Sequence, residues 1–184
     1  DEADFSAAAV RASQIYPGVE LTRTVVVLDD ALIDFYRAKS EMVEITMDWV
    51  WHSVGRLTTS LPEATAQGSG PRYQFLEDVR ALKPGSQAEI SWQVQGGKVS
   101  LTLFDMDKAQ LFSARGPGFP GEEKLSLVIA RKRAQTGQFV AVFQIVADSK
   151  RPKPVGLVEQ GPNRIVVQLD NARYELTANT ARRF

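Results

Sequence analysis

The chain has 184 residues, of which 43% are hydrophobic, and its 22 Lys and Arg residues balance 22 Asp and Glu residues. A protein of this size buries about 70% of the surface that its unfolded chain exposes, so a full core is available. The balanced charge argues against a dedicated nucleic-acid partner, which needs a basic surplus on its binding face. The sequence has no cysteine, which excludes disulfides, thiolate catalysis and cysteine-ligated zinc.

No stretch of the sequence approaches the roughly 18 uncharged apolar residues that a membrane span needs, so we expect no membrane partner. The first residues, Asp1-Glu2-Ala3-Asp4, lack the basic region of a secretory signal and are typical of a piece cut from a longer protein. The chain shows no repeat and no clear linker, and we interpret residues 1–184 as a single domain.

Alternation of apolar and polar residues predicts that most of the chain forms β-strands. The segment 32–39 also fits a helical face, but the β-branched runs around it favour a strand. Turn signals about every 8–12 residues separate about a dozen strands, which predicts an all-β fold, a large antiparallel β-sandwich. In chain order, the predicted strands are 20–28, 32–39, 43–52, 73–82, 88–94, 99–103, 110–115, 125–133, 139–147, 165–169 and 173–176.

The clearest local prediction is a hairpin at Gly96-Gly97, where two glycines separate two alternating runs. Such a turn needs positive φ at both central residues, which glycine adopts without strain. We expect the register to place Trp92 opposite Leu101, so that the apolar faces of the two strands coincide.

Residues 139–146 are apolar on both faces, which indicates a strand covered on both sides. We expect 125–147 to form a hairpin, with the basic clusters Arg131-Lys132-Arg133 and Lys150-Arg151-Pro152-Lys153 flanking it. These clusters are either a positive rim for a polyanion, with Arg131 and Arg133 as contacts, or solvated strand ends. Both interpretations stay open at the level of the sequence.

The acidic pairs are predicted to lie in turns rather than in a metal site. Asp105-Met106-Asp107 lacks the further ligands and the glycine of a calcium loop. Asp29-Asp30 and Asp170-Asn171 separate predicted strands, where Asp suits the backbone of a turn. One histidine does not supply the usual ligand set of zinc. We therefore predict no metal site and no cofactor, and we find no serine-nucleophile or phosphate-binding motif.

His52 is the single histidine, and it lies on the polar face of the predicted strand 43–52. Asp48 on the same strand lies about 13 Å away at the usual strand rise, too far to orient the imidazole ring. His52 is therefore either a substrate contact or a surface histidine near Gly55.

Aromatic side chains are further candidates for sugar contacts. Phe119 lies at the tip of the proline-stiffened loop 116–121, and the loop 58–71 has a length that is often functional. Core packing is favoured over stacking on sugars for the three tryptophans, which lie on apolar strand faces: Trp49, Trp51 and Trp92.

Three regions resemble the heparinase II/III-like polysaccharide lyases, particularly the alginate-lyase branch. The first is Tyr16-Pro17-Gly18-Val19, which leads into a strand and on to Asp34. The second follows Ser40 and runs Asp48-Trp49-Val50-Trp51-His52-Ser53-Val54-Gly55. The segments 127–131 and 138–143 resemble paired strands near the end of the β domain in those enzymes. The chain departs from the family in having Thr46-Met47 where Tyr is usual.

The resemblance implies that the chain is part of a larger enzyme. These lyases consist of an α/α toroid followed by an antiparallel β-sheet domain, and the active site lies in the cleft between them. They cleave uronate polysaccharides by β-elimination, in which a base removes a proton and an acid assists the leaving glycosidic oxygen. The catalytic and zinc-binding motifs of the family have no counterpart here, so the resemblance assigns no catalytic or metal residue.

The main hypothesis is thus the C-terminal β-sheet domain of a bacterial lyase acting on alginate or heparin-like chains, inactive alone. It would support the cleft beside an N-terminal toroid, contact acidic polysaccharide through His52, Arg56 and the loop 58–71, and be periplasmic or secreted. The alternative is a free-standing carbohydrate-binding β-sandwich module with Phe119 or Tyr36 as an exposed contact. A third hypothesis is an interaction domain whose exposed sheet edge pairs with another chain.

Overall fold

The structure is a computed structural model that describes residues 5–64, 74–118 and 124–184. These ranges contain sixteen β-strands and no helix. The strands form three antiparallel sheets, which confirms the predicted all-β, sandwich-like fold. Segment 32–39 is a strand, as its β-branched surroundings favoured.

The largest sheet has seven strands in the order β1-β2-β3-β12-β9-β8-β5. Its first three strands follow one another along the chain as an antiparallel meander. The strands, from one edge to the other, are β1 (Ser6–Tyr16), β2 (Val19–Val27), β3 (Ala31–Ser40), β12 (Thr136–Ala147), β9 (Gly97–Phe104), β8 (Gln87–Val94) and β5 (Arg56–Thr58).

A five-stranded and a four-stranded sheet complete the fold. The five-stranded sheet consists of β4 (Ile45–Ser53), β11 (Leu125–Ala134), β10 (Gln110–Gly116), β7 (Glu77–Leu82) and β6 (Glu63–Ala64). The four-stranded sheet consists of β13 (Val155–Gln160), β14 (Arg164–Leu169), β15 (Ala172–Thr177) and β16 (Ala181–Arg183).

The seven-stranded sheet is the middle layer, with one smaller sheet packed on each face. β12 shows this arrangement because its side chains alternate between two cores. Phe139, Ala141 and Phe143 pack with residues of the five-stranded sheet. Val140 and Val142 pack with residues of the four-stranded sheet. The prediction of a strand covered on both sides is therefore confirmed for residues 139–144, whereas Ile145 is 69% exposed.

The tryptophans lie where their apolar faces predicted. Trp49 and Trp92 are buried in the core shared with the five-stranded sheet, and Trp51 packs at its margin. The Trp51 ring centroid lies 4.1 Å from that of Phe143. None of the three is available to a sugar as an exposed platform.

The hairpin of β8 and β9 is confirmed, but its predicted register is wrong by two residues. Trp92 lies opposite Val99 rather than Leu101, and Val94 lies opposite Gly97. The turn is therefore Gln95-Gly96, and only Gly96 of these two has positive φ. Because a two-residue slip returns each side chain to the same face, the apolar pattern could not reveal it.

The predicted hairpin 125–147 is wrong. β11 pairs with β10 and β4, whereas β12 pairs with β3 and β9. The short connection between β11 and β12 therefore carries the chain from one sheet to another. In sequence, such a crossing resembles a hairpin turn because both are short polar breaks between apolar strands.

The predicted turns 29–30, 105–107 and 170–171 all lie between strands, as expected. Asp105 and Asp170 adopt positive φ of 58° and 54°, which Asp tolerates better than most residues. The structure also contains strands that the sequence did not predict, of which β1 is the longest.

Candidate functional site

The predicted binding residues that the structure describes lie in two groups, one at each end of β11. Arg133 lies near one end of β11, and Ser126 near its other end lies beside the predicted contact Arg56. At the usual strand rise these two positions are about 23 Å apart. His52 lies opposite Leu127 and so belongs to the Ser126 end.

Arg131 has a structural role at the first end. It donates two hydrogen bonds to Asp48 on the neighbouring strand, of 2.7 Å from Nε and 2.8 Å from Nη2. The side chains of both residues are largely buried. This bidentate ion pair fixes the register of β11 against β4 and occupies the guanidinium that was a predicted substrate contact.

The other two residues of the basic cluster divide between core and surface. Lys132 is buried, and its Nζ donates to Asp105 Oδ2 at 2.6 Å and to the carbonyl oxygen of Gln138 at 2.9 Å. Arg133 is exposed, with its Nε 3.3 Å from Glu44 Oε2. Arg133 lines a cavity of about 630 Å³ that also contains Asp105 and Asp107. Lys108 and Lys132 line it as well, but Lys132 is paired with Asp105 and Arg133 with Glu44, so little unpaired positive charge remains for an anion at this end.

At the opposite end of β11, the chain turns sharply at Gly55, and we call this turn the glycine corner. Gly55 connects β4 at the edge of the five-stranded sheet to β5 at the edge of the seven-stranded sheet. Its φ is +94°, and a Cβ atom there would lie 2.2 Å from the carbonyl oxygen of Gln93. Only glycine fits this close crossing. The hydroxyl of Ser126 donates to the Gly55 carbonyl oxygen at 3.2 Å and holds the corner against β11.

Beside this corner lies a cavity of about 630 Å³ whose charged lining residues are all cations. We call it the arginine cavity. Arg115 reaches it from β10 and Arg56 from β5, while Lys124 precedes β11. Its lining residues are Val54, Gly55, Arg56, Arg115, Lys124, Leu125 and Ser126.

The three cations differ in their partners. Lys124 is ion-paired with Glu77, and Arg115 lies 4.0 Å from Asp78. The hydrogen bond from Lys124 lowers the pKa of Glu77 below its ordinary value, so this carboxylate stays ionised. Arg56 is exposed and has no ion pair within the described ranges. Arg56 is thus the cation whose charge is most available to a ligand.

A second cavity, of about 490 Å³, adjoins the arginine cavity and shares Arg56, Arg115 and Ser126 with it. It extends along β7, where Arg80 lies 3.0 Å from Glu63. Threonine and serine hydroxyls of β5 and β10 also line it. Together the two cavities form a continuous surface with cations at one end and hydroxyl groups along its length, and its two carboxylates, Glu63 and Asp78, are paired with Arg80 and Arg115.

This arrangement can bind an anion but offers little for proton transfer. Guanidinium groups bind carboxylates and sulfates by paired hydrogen bonds. His52 is exposed, and no described residue hydrogen-bonds to its ring. Burial raises the pKa of the Tyr36 hydroxyl above its ordinary value, which disfavours a tyrosinate base. The residues in the described ranges contain no acidic or histidine cluster suited to a metal ion.

Two of the predicted contacts lie wholly or partly outside the described ranges. Phe119 and the loop residues 65–71 lie outside the described residues. The described part of the loop 58–71 is not all loop, since Thr58 ends β5 and β6 follows at Glu63–Ala64. Tyr36, the other aromatic candidate, is half-buried and stacks on Phe139.

Sequence reasoning missed Arg115 and Lys124. Both stand at the ends of correctly predicted strands, and the antiparallel pairing of β10 with β11 places Arg115 opposite Ser126. A correct prediction that β10 pairs with β11 would have placed Arg115 and Lys124 near each other. Their approach to Arg56 depends on the sheet crossing at Gly55, which no local pattern shows.

The described ranges contain no helix that could cross a membrane. No family model matches the sequence, and no curated protein matches it. Solved structures do match the chain.

Three solved lyases share the fold over nearly the whole chain. A heparinase III gene product superimposes with a TM-score of 0.60 at 8% identity, covering 100% of this chain and 26% of that chain. A second heparinase III gives 0.57 at 10% identity, covering 100% and 26%. The heparan sulfate lyase HepC from Pedobacter heparinus gives 0.56 at 12% identity, covering 97% and 27%.

The chain therefore has the fold of a domain found in heparinase-type polysaccharide lyases, as its motifs predicted. It spans about a quarter of the length of these enzymes. At these identities the likeness concerns the fold, and function has to be argued from the site.

Proposed function

We propose that this chain is the β-sheet domain of a polysaccharide lyase that cleaves uronate polysaccharides by β-elimination. In this proposal the chain is inactive alone and supports the substrate cleft beside a helical toroid of the same parent. The observation that carries the proposal is the fold match, which extends over nearly the whole chain and about a quarter of each lyase.

The arginine cavity is the proposed substrate contact. A uronate polymer carries a carboxylate on each uronate ring, and heparin-like chains add sulfates. Arg56 presents positive charge without an ion pair in the described ranges, and Arg115 and Lys124, paired with Asp78 and Glu77 outside the lining of this cavity, add N–H donors, which favours such a polymer. His52, on the adjacent part of β4, is proposed as a flanking contact rather than as the base.

The proton-transfer groups are assigned to the toroid. β-Elimination needs a base at the carbon beside the carboxylate and an acid at the leaving oxygen. The described residues of this chain do not bring such a pair together. Because its substrates are extracellular polymers, we place the parent enzyme in the periplasm or outside the cell.

An activity assay tests the assignment of chemistry. The 184-residue chain is incubated with alginate, heparan sulfate and heparin, and unsaturated uronate ends are followed by their ultraviolet absorbance. We expect no formation of these ends by the chain alone and measurable formation by the parent enzyme. Activity of the isolated chain would overturn the claim that its chemistry resides elsewhere.

A binding assay tests the arginine cavity. We expect retardation of the chain in gels that contain acidic polysaccharide at low salt, and about a tenfold weaker effect for Arg56→Ala, as for loss of one charged hydrogen-bonded contact. Arg173→Ala is the matched control, because Arg173 is exposed in the four-stranded sheet, away from the cavity. Equal retardation of the two variants would remove the cavity from the proposal.

The same assay separates the alternative of a free-standing binding module. Such a module would bind the polysaccharide as tightly alone as within any longer protein. A cleft domain contributes only part of the contact surface, so its isolated affinity should be well below that of the parent.

A further inference from the structure

Two sheet edges without a described partner lie on the same side of the molecule. β1 ends the seven-stranded sheet and β4 ends the five-stranded sheet. Trp49 of β4 donates to Asp34 of β3 at 2.9 Å, so β4 lies over β3. Lys132 of β11 donates to Asp105, which follows the last residue of β9. β11 therefore lies on the side of β4 that faces away from β2 and β1. The edge of β4 without a described partner therefore faces β2 and β1.

The seven-stranded sheet extends beyond β4 and forms a step. The floor of the step is the face of β1 and β2 that carries Val10, Tyr16 and Arg23, and the wall is the edge of β4. Val10 lies directly opposite Arg23, and Tyr16 opposite Val19, so these side chains share that face. We call this surface the β1–β4 step.

The floor of the step is apolar and exposed. Val10 is 66% exposed and Tyr16 59%. Of the eleven residues of β1, all but Ala12 are exposed. The charge of Arg23 is already balanced by Asp34, to which it donates two hydrogen bonds. An apolar floor beside a row of backbone donors and acceptors suits a β-strand with apolar side chains on one face.

The edge of β1 carries little of the charge that usually protects such strands. Its sequence, SAAAVRASQIY, contains no proline or lysine, and its one charge, Arg11, is ion-paired to Glu20 on β2. β13, at an edge of the four-stranded sheet, is shorter, and both edge strands have a register irregularity, between Ala12 and Tyr16 in β1 and between Leu157 and Glu159 in β13. Native proteins protect edges by shortening them, bulging them or adding charge. Of these protections β1 has only the irregularity near its C-terminal end, and its length and low charge leave the regular part, Ser6 to Ala12, open to a partner.

We propose that the β1–β4 step is the docking surface for a strand from the portion of the parent polypeptide that lies outside this chain. The inference rests on the proposed function, since lyases of this fold are about four times as long as the matched region. The added strand pairs with the edge of β4 and covers Val10 and Tyr16. The five-stranded sheet then has a sixth strand, which lies over β2 and packs its side chains toward β1.

Single cysteines test this proposal, because the natural chain has none. Val10→Cys lies on the floor of the step, and Val158→Cys, at a position 50% exposed on β13, is the matched control. Both are made in the 184-residue chain and in the parent enzyme, and reaction with a maleimide is timed at each position by mass spectrometry. Circular dichroism verifies that the variants fold.

In the isolated chain both cysteines should react quickly. In the parent we expect Val10→Cys to react at least about tenfold more slowly, as for a site that reacts only on local opening, with Val158→Cys unchanged. Equal reaction of Val10→Cys in both proteins would overturn the proposal. Protection within a dimer of the isolated chain, with a disulfide between two copies, would also overturn it and make the occupant a second copy.

A lyase assay on the same parent distinguishes this inference from the proposed function. Protection of Val10→Cys in a parent protein without lyase activity would support the docking surface and reject the proposed function. Activity without protection would leave the function and reject the docking surface.

Discussion

Asp34 is fully buried between the seven-stranded and five-stranded sheets, and three hydrogen bonds satisfy its carboxylate. Arg23 donates from Nε at 2.9 Å and from Nη2 at 2.7 Å, and Trp49 donates from Nε1 at 2.9 Å. A buried carboxylate is tolerated only when it is paired and hydrogen-bonded in this way. The cluster therefore ties β2, β3 and β4 together at the back of the β1–β4 step.

Replacing Asp34 should destabilise the fold strongly. In Asp34→Ala the Trp49 N–H loses its acceptor and Arg23 loses its counter-charge, so we expect a loss of about 3 kcal/mol in the free energy of unfolding. The value lies at the low end for a broken buried pair because Arg23 is 42% exposed and water can reach it. Urea denaturation measures the change.

Asp29→Ala serves as the control for that substitution, since Asp29 is an exposed residue of the turn before β3. It should change stability by less than about 0.5 kcal/mol. A loss below about 1 kcal/mol for Asp34→Ala would mean that the cluster contributes little to stability.

Within the site, sequence reasoning identified Arg56 but not the residues around it. A cation in a short polar segment can be recognised as a candidate from residue type alone. Whether that cation is available depends on register: the same residue type at Arg131 is occupied by Asp48 across the strand pair. The residue type therefore identifies a candidate cation, whereas the strand pairing determines whether that cation is available to a ligand.

At the scale of elements, Glu175 connects three strands of the four-stranded sheet. Its carboxylate accepts hydrogen bonds from Arg182 of β16 and Arg164 of β14. The bond from Arg182 and then that from Arg164 lower the pKa of Glu175 below its ordinary value of 4.5. The short β16 is thereby held to the sheet by charge as well as by its backbone pairing.

This shift predicts an acid-sensitive contribution to stability. A carboxyl whose pKa is lower in the folded state stabilises the fold above its unfolded pKa, and that contribution disappears as pH falls through the folded pKa. We therefore expect the melting temperature to fall below about pH 4.5, and to fall less steeply in Glu175→Gln. Thermal denaturation followed at a series of pH values gives both slopes.

Glu41→Gln is the matched variant for the pH series, because Glu41 is exposed between β3 and β4. It should keep the acid sensitivity of the natural chain. If Glu175→Gln and the natural chain had the same slope, the ion pairs of Glu175 would not contribute to acid stability.

The strands that sequence predicted best are those with a clear period of two and β-branched residues. β1 was missed because its alanines and serines have low strand preference, and its strand form comes from pairing with β2. The pairing of β11 was mispredicted because a crossing between sheets has the same local pattern as a hairpin. Local pattern therefore predicted which segments are strands, whereas their neighbours depend on contacts distant in sequence.

At the scale of the whole molecule, β12 couples the two cores. Val167 of β14 is fully buried in the core that also contains Val140 and Val142. All three tryptophans lie in or beside the other core. Since β12 forms part of both, loss of packing in one core should destabilise the other.

Val167→Ala tests this coupling. We expect it to lower stability by about 2 kcal/mol, as for a core truncation, and to shift the tryptophan fluorescence transition together with the circular dichroism transition. Val158→Ala, a similar truncation at an exposed position, should shift neither. Separate transitions by the two probes would show that the layers unfold independently.

The position of β12 also sets the order in which the protein can fold during synthesis. Phe139 lies opposite Tyr36 although about a hundred residues separate them in the chain. The meander of β1 to β3 leaves the ribosome early but has to wait for β12 before its inner edge is closed. Pairings so distant in sequence close slowly, so the nascent chain spends a long interval with that edge uncovered, when a chaperone would be most useful to it.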